Sequence, residues 1–167
     1  MSNDYFLKID GIPGESRSAR HHGEIDLVSF SFGLQSGTGH TPGAGLGKAT
    51  FQDLHFTAVV NKASPELFLA CASGQHVKSA VLTGERANRR EFEKFLEIDL
   101  GDVRVSSYQD GGRQGQEPPT DEVSLSFRTI KFTVMPSTRR GGTEQPATAG
   151  WDQPATAGWD LSANRGT

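Results

Sequence analysis

Apolar and polar residues alternate with a period of two over much of the chain, the spacing of a β-strand with one buried face. The first such run is Tyr5 to Ile9, which ends at the turn-rich Asp10-Gly11-Ile12-Pro13-Gly14-Glu15-Ser16. A polar stretch, Arg17 to Gly23, follows as a loop. The clearest alternation lies between Glu24 and Leu34. Val28, Phe30, Phe32 and Leu34 share one face there, and Ser29, Ser31 and Gly33 share the other. Burying a phenylalanine is worth roughly 1.5–3 kcal/mol, so the aromatic face is predicted to be core and the serine face to meet water. A one-residue slip would exchange the faces, which fixes the register.

Gln35 to Lys48 breaks the pattern with a glycine-rich stretch that includes Gly37, Gly39, Gly43, Gly45 and Gly47. It is predicted to be a loop, and loops of this length in a small domain are functional or disordered. Alternation resumes from about Thr50 to Asn61. Ser64 as N-cap, Pro65 in the first turn, an apolar stripe of Leu67, Phe68, Ala70 and Cys71, and Gly74 as the stop predict one helix. Further strands are predicted at His76–Gly84, Arg90–Leu100, Val103–Gln109 and Val123–Val134. Many strands and one short helix indicate a mainly β fold, an antiparallel β-barrel or sandwich.

The composition changes after Met135. Residues 1–135 form the predicted domain, and 136–167 a flexible tail. The tail carries a perfect tandem repeat: Gln145 to Asp152 reads Gln-Pro-Ala-Thr-Ala-Gly-Trp-Asp and recurs as Gln153 to Asp160. Two short copies do not make a solenoid. A local duplication accounts for them and leaves one of Trp151 and Trp159 for a single docking site.

Overall composition adjusts this picture only slightly. Hydrophobic residues are 34% of 167, low for a globular chain, and the 20 glycines and the polar tail account for the gap. With a net charge of −3 there is no basic excess to neutralise phosphates, so nucleic acid is not an expected partner. No run approaches the ~20 apolar residues of a membrane helix, and the N-terminus shows no signal-peptide pattern. The single Cys71 rules out an internal disulfide and is expected to pack as a small hydrophobe.

Candidate chemistry is sparse. The G-x-x-x-x-G-K-[ST] phosphate loop fails around Gly47-Lys48, where Pro42 and Ala49 occupy its two ends. A G-x-S-x-G nucleophile elbow fails at Ser36, which follows Leu34 at the required glycine. His21, His22 and Glu24 lie too close in sequence to converge on one metal ion, and a solvated polar loop is the expected outcome. His55, between Leu54 and Phe56, is placed on an outer face. Glu91, Glu93, Glu97 and Asp99 share strand parity, which predicts an exposed or inter-subunit face. No enzyme, cofactor or metal is expected.

Several segments nevertheless resemble one family. Tyr5–Ser16 resembles the opening strand and turn of the Hcp (haemolysin-coregulated protein) family of the type VI secretion system. Ser29-Phe30-Ser31-Phe32-Gly33 and the glycine-rich stretch after it resemble that family's second strand and extended loop. Ser64 to His76, continuing to Ala80-Val81-Leu82-Thr83, resembles its helix and following strand. Val105-Ser106-Ser107-Tyr108 and Gly150-Trp151-Asp152, or its copy Gly158-Trp159-Asp160, match as well.

The resemblance implies an antiparallel barrel with a flanking helix. Six copies would form a ring, and rings would stack into the inner tube of the secretion machine. Effector proteins would ride in the lumen, and sheath and spike components would be partners. Ser29 and Ser31 would face that lumen. Gln35, Ser36, Gly37, Gly39, Gly43, Gly45 and Gly47 would bridge to a neighbouring subunit or ring, and Trp151 or Trp159 would dock the C-terminus. Such a protein is made in the bacterial cytoplasm and secreted without a cleaved signal peptide. The rival reading is a monomeric β-barrel that binds a small ligand, for which an apolar pocket would be required.

Overall fold

Where alternation is strict, each strand places a full apolar face inwards. β6 (Leu54–Val59) does so with Leu54, Phe56 and Ala58, all buried. β9 (Thr120–Val134) does so with Val123, Leu125 and Phe127. In the computed structural model, which describes residues 2–37, 47–87, 91–115, 117–136 and 145–152, these strands belong to one antiparallel sheet. Its other members are β1 (Asn3–Ile9), β2 (Ile25–Leu27), β3 (Ser29–Ser31), β7 (His76–Ala87), β8 (Phe92–Gly111) and β10 (Ala147–Asp152). The strand order is β2-β1-β7-β8-β9-β6-β3, with β10 on β9. β4 (Leu34–Gly37) and β5 (Gly47–Phe51) form a separate two-stranded sheet.

The two ends of the main sheet are consecutive pieces of one run of chain. Ile25 to Leu27 pair with β1, and Ser29 to Ser31 pair with β6. Between them, Val28 N–H donates to the Thr57 carbonyl at 2.8 Å. This run therefore closes the sheet into a barrel. The change of partner also corrects the expected continuous strand over Glu24–Leu34. Leu27 and Phe30 both pack on the core, so Val28 and Ser29 both turn outwards and Val28 is 61% exposed. Phe30 and Phe32 are half-buried, meeting Tyr5 and Phe132 edge-on at 4.9 and 5.5 Å. Leu34, also expected in the core, is exposed because the chain has left the barrel by then.

The expected break between Leu100 and Val103 is absent. β8 runs through it, with Gly101 opposite Thr129 and Val103 opposite Phe127. Asp102 takes φ 50° and its carboxylate is 2.8 Å from His76 Nδ1, so Gly101-Asp102 forms a bend inside the strand. A Cβ on Gly101 would lie 2.2 Å from Thr129 Oγ1, which explains the glycine.

Helix α1 (Ser64–Ser73) packs against the barrel with Leu67 and Ala70 buried, and Cys71 half-buried against the same core. Phe68, expected in the apolar stripe, is 60% exposed and meets Tyr108 edge-on at 6.0 Å. Ser64 is not the N-cap: that residue is Ala63, whose N–H donates to Asn61 Oδ1 at 2.8 Å. The Ser64 hydroxyl instead donates to the fully buried Asp121, which also accepts from Tyr108 at 2.8 Å. Gly74 ends the helix at φ 68°.

Candidate functional site

Ser29 and Ser31 lie on the outward face of β3, and both are exposed. Strand register extends that face sideways. Ser29 stands opposite Thr57, which stands opposite Glu122; Ser31 stands opposite His55, then Ser124, then Ser107. Ser29 Oγ and Thr57 Oγ1 are 2.6 Å apart, and His55 Nδ1 lies 3.0 Å from Ser124 Oγ. At the bulge near Ser106 an extra hydroxyl donates to Asp53 Oδ2 at 2.6 Å and to the Ser124 carbonyl at 3.1 Å. The result is a band of short polar side chains spanning four strands. Ser29 and Thr57 bond to each other, Ser124 bonds to His55 and Ser106 to Asp53, and Glu122 is the one long charged group along these rows. Sequence reading singled out only the two serines. Thr57, Ser124 and Ser126 carry the same signal, since each alternates with the buried residues of its own strand.

The glycine-rich stretch was expected to be a loop throughout, but its two limbs pair as strands. Gln35 faces Thr50 and Gly37 faces Gly47, with a bulge between Gln35 and Gly37. Gln35 and Ser36 are exposed, and Leu34 is 56% exposed. The tip, with Gly39, Gly43 and Gly45, lies outside the described residues. At the root of this arm, Gln52 N–H donates to the Gly33 carbonyl at 2.9 Å. Phe51 meets Phe127 at 6.1 Å and Trp151 at 6.4 Å. Trp151 belongs to β10 and is 52% exposed; Trp159 lies outside the described residues.

The acidic row is rearranged by a second bulge. Glu97 pairs with Thr83 and Leu96 with Gly84, but Lys94, not Phe95, pairs with Glu85. Lys94 therefore joins Glu97 and Asp99 on the outer face and bonds to Glu97. That hydrogen bond holds the Glu97 carboxyl below its ordinary value, while desolvation, then its contact with Glu97, pushes Asp99 up. This is a compensated surface row.

His21, expected in a solvated loop, is buried. Its ring stacks on Phe6 at 4.2 Å, and its nitrogens lie 2.8 Å from Glu24 and 2.8 Å from the buried Glu85. The residues from Ile12 to Glu24 thus fold over the outer face of β1 and β7. Gly14 permits this, because a Cβ there would lie 2.4 Å from the Glu24 carbonyl oxygen. Among the described residues no cluster is arranged to hold a metal ion, and no helix is long and apolar enough to cross a membrane.

A filled antiparallel barrel, flanked by one helix and carrying a separate two-stranded arm, defines the class. Residues 6–134 match the family described as "Type VI secretion system effector, Hcp". Protein hcp1 of Pseudomonas aeruginosa is 37% identical over 154 residues, covering 90% of this chain and 95% of that protein. The crystal structure of Hcp1 from Salmonella typhimurium superimposes with a TM-score of 0.76 at 35% identity, covering 92% of this chain and 96% of that one. A structure described as a type six secretion system protein shares the fold at a TM-score of 0.82 and 24% identity, over 98% of this chain and 99% of that one. The chain belongs to the Hcp family of the type VI secretion system.

Proposed function

We propose that this chain is a structural subunit, not a catalyst, of the inner tube of a type VI secretion machine. Six copies close into a ring, rings stack, and the lumen carries effector proteins past sheath and spike components. The chain leaves the bacterial cytoplasm through that machine. The observation that carries this reading is the arm of β4 and β5. A two-stranded ribbon is at best marginally stable alone in water, yet this one pairs with no strand of the main sheet, is anchored there through Phe51 at its root, and leaves Leu34, Gln35 and Ser36 exposed. Packing on a neighbouring subunit or ring supplies the missing cover. A ring needs a head-to-tail interface that closes under rotation, and each contact is expected to bury at least roughly 1,000 Å².

The hydroxyl band around Ser29 and Ser31 suits a lumen wall, because short, mostly uncharged side chains let a folded cargo slide without strong ionic capture. The interior of the barrel, filled by Leu54, Phe56, Ile98 and Leu125 at 0% exposure, argues against a small-ligand carrier. Light scattering coupled to size-exclusion chromatography, with negative-stain images of the peak, tests the proposal. The expected particle has six-fold symmetry, a central hole and a mass of about 108 kDa, six times the 18.0 kDa chain. A monomer at every concentration would overturn ring formation in solution and turn the search to ligands.

A further inference from the structure

β9 has one strand edge free for the tail. β8 runs along its other edge from Thr120 to Val134, and β6, which occupies this edge first, leaves it at Leu125. β10 takes the remainder, pairing Ala147 with Val134 through Asp152 with Thr129. Three side-chain contacts set this register. Thr148 Oγ1 donates to Thr133 Oγ1 at 3.3 Å, the Trp151 ring lies 6.4 Å from that of Phe51, and Asp152 Oδ1 lies 3.5 Å from Arg128 Nε.

All three of these tail residues belong to the eight that the chain immediately repeats. Gln153–Asp160, outside the described residues, places Thr156, Trp159 and Asp160 at the same spacing. Backbone ladder bonds do not depend on sequence, and the side chains are identical. The edge can therefore tell the two copies apart only by the chain that leads to each.

We infer that the β9 edge from Thr129 to Val134 is a docking site for which the two copies compete, with Gln153–Asp160 as the alternative occupant. The exchange is a slip of eight residues that restores every contact, with Trp159 on Phe51 and Asp160 beside Arg128. The connection from β9 lengthens from twelve residues, Met135 to Pro146, to twenty, Met135 to Pro154. Closure of a flexible loop weakens with the three-halves power of its length, so the first copy is favoured by only about twofold. At any moment one identical strand is seated and the other is displaced.

Disulfide trapping tests this in a Cys71→Ser background. One variant carries Thr133→Cys with Thr148→Cys, a second Thr133→Cys with Thr156→Cys, and a third Thr133→Cys with Ser162→Cys, beyond both copies. In a glutathione redox buffer the first two are expected to close to extents within about twofold of each other, and the third only to background. Closure of the Thr156 pair no better than the Ser162 pair overturns the exchange. Failure of the Thr148 pair overturns the seat itself.

A second measurement avoids changing the buried Thr133. The chain has two tryptophans, so Trp151→Ala and Trp159→Ala each leave a single fluorophore. Acrylamide quenching of Trp159 in the first variant is expected to match that of Trp151 in the second, and both are expected to rise when Phe51→Ala is added. Trp159 that is quenched as freely as in the unfolded chain, while Trp151 is protected, would refute the inference.

Discussion

At the scale of single residues, two buried polar groups on opposite sides of the barrel wall hold elements in place. Asp121 is fully buried and accepts from both Ser64 and Tyr108, which ties the start of α1 to β8 and β9. Burial, then the bond to Asp121, pushes the Tyr108 hydroxyl from 10.0 up to about 12. The neutral phenol is thus favoured in the folded state. Its contribution is complete below pH 10, where both states are protonated, and is lost as pH rises from 10 to 12, where the unfolded chain ionises first. Tyr108→Phe should lower stability at pH 7 by about 1–3 kcal/mol, because Asp121 loses a donor. It should also remove this component of the alkaline loss, which urea titrations of both proteins from pH 9 to 12 will show as converging stabilities. His21 is the second group. Its replacement by alanine leaves Glu85, with a side chain 5% exposed, facing Arg20 at 3.7 Å as its remaining charged partner among the described residues. A loss of about 3–5 kcal/mol is expected by denaturant melting, partly recovered by adding Glu85→Gln. None of this was legible locally. The sequence places His21 beside His22 and Glu24, and the partner that buries it lies 64 residues away.

At the scale of elements, the helix was the most legible part. Pro65 and Gly74 bracket it as their backbone preferences demand. The sequence missed how its start is held, since Ser64 serves Asp121 through a tertiary contact, and that Phe68 leaves the buried stripe. Gly74→Ala should cost about 1–2 kcal/mol through its left-handed backbone alone. The nearest atom to a new Cβ, Arg104 Nη2 at 3.1 Å, is the tip of a flexible side chain and moves aside. Thermal melting of that variant, with Gly111→Ala as an unstrained control, checks the figure. Strands were legible as strands but not in their limits. Alternation locates a buried face, but it cannot show where a run changes partner, as at Val28, or where a bulge at Phe95 advances the pattern by one. The serine face was visible for the same reason its extension was overlooked: a band across four strands depends on register between segments far apart in the chain.

At the scale of the molecule, the main sheet separates into locally and distantly paired parts. β7, β8 and β9 follow one another as hairpins, so their pairing needs only short loops. Closure is different: β1 reaches β7 across the chain from Asn3 to Arg86, and β6 reaches β9 from Leu54 to Leu125. The run from Ile25 to Ser31 then joins the two ends. The serine face lies on this closing run, so its position depends on closure of the barrel.

That seam has a kinetic consequence. Long loops must be closed before distant contacts are rewarded, so the β7-β8-β9 meander is expected to organise the folding nucleus and the Ile25–Ser31 run to zip shut afterwards. Ile98→Val, in the meander, and Ile25→Val, at the seam, remove the same methylene from sites 0% and 1% exposed and should cost similar equilibrium stability, about 0.5–1.5 kcal/mol. Stopped-flow chevrons will separate them: the first should mainly slow folding and the second mainly speed unfolding. The lifetime of the closed subunit, and not the speed with which it forms, is then governed by the few residues on either side of Val28.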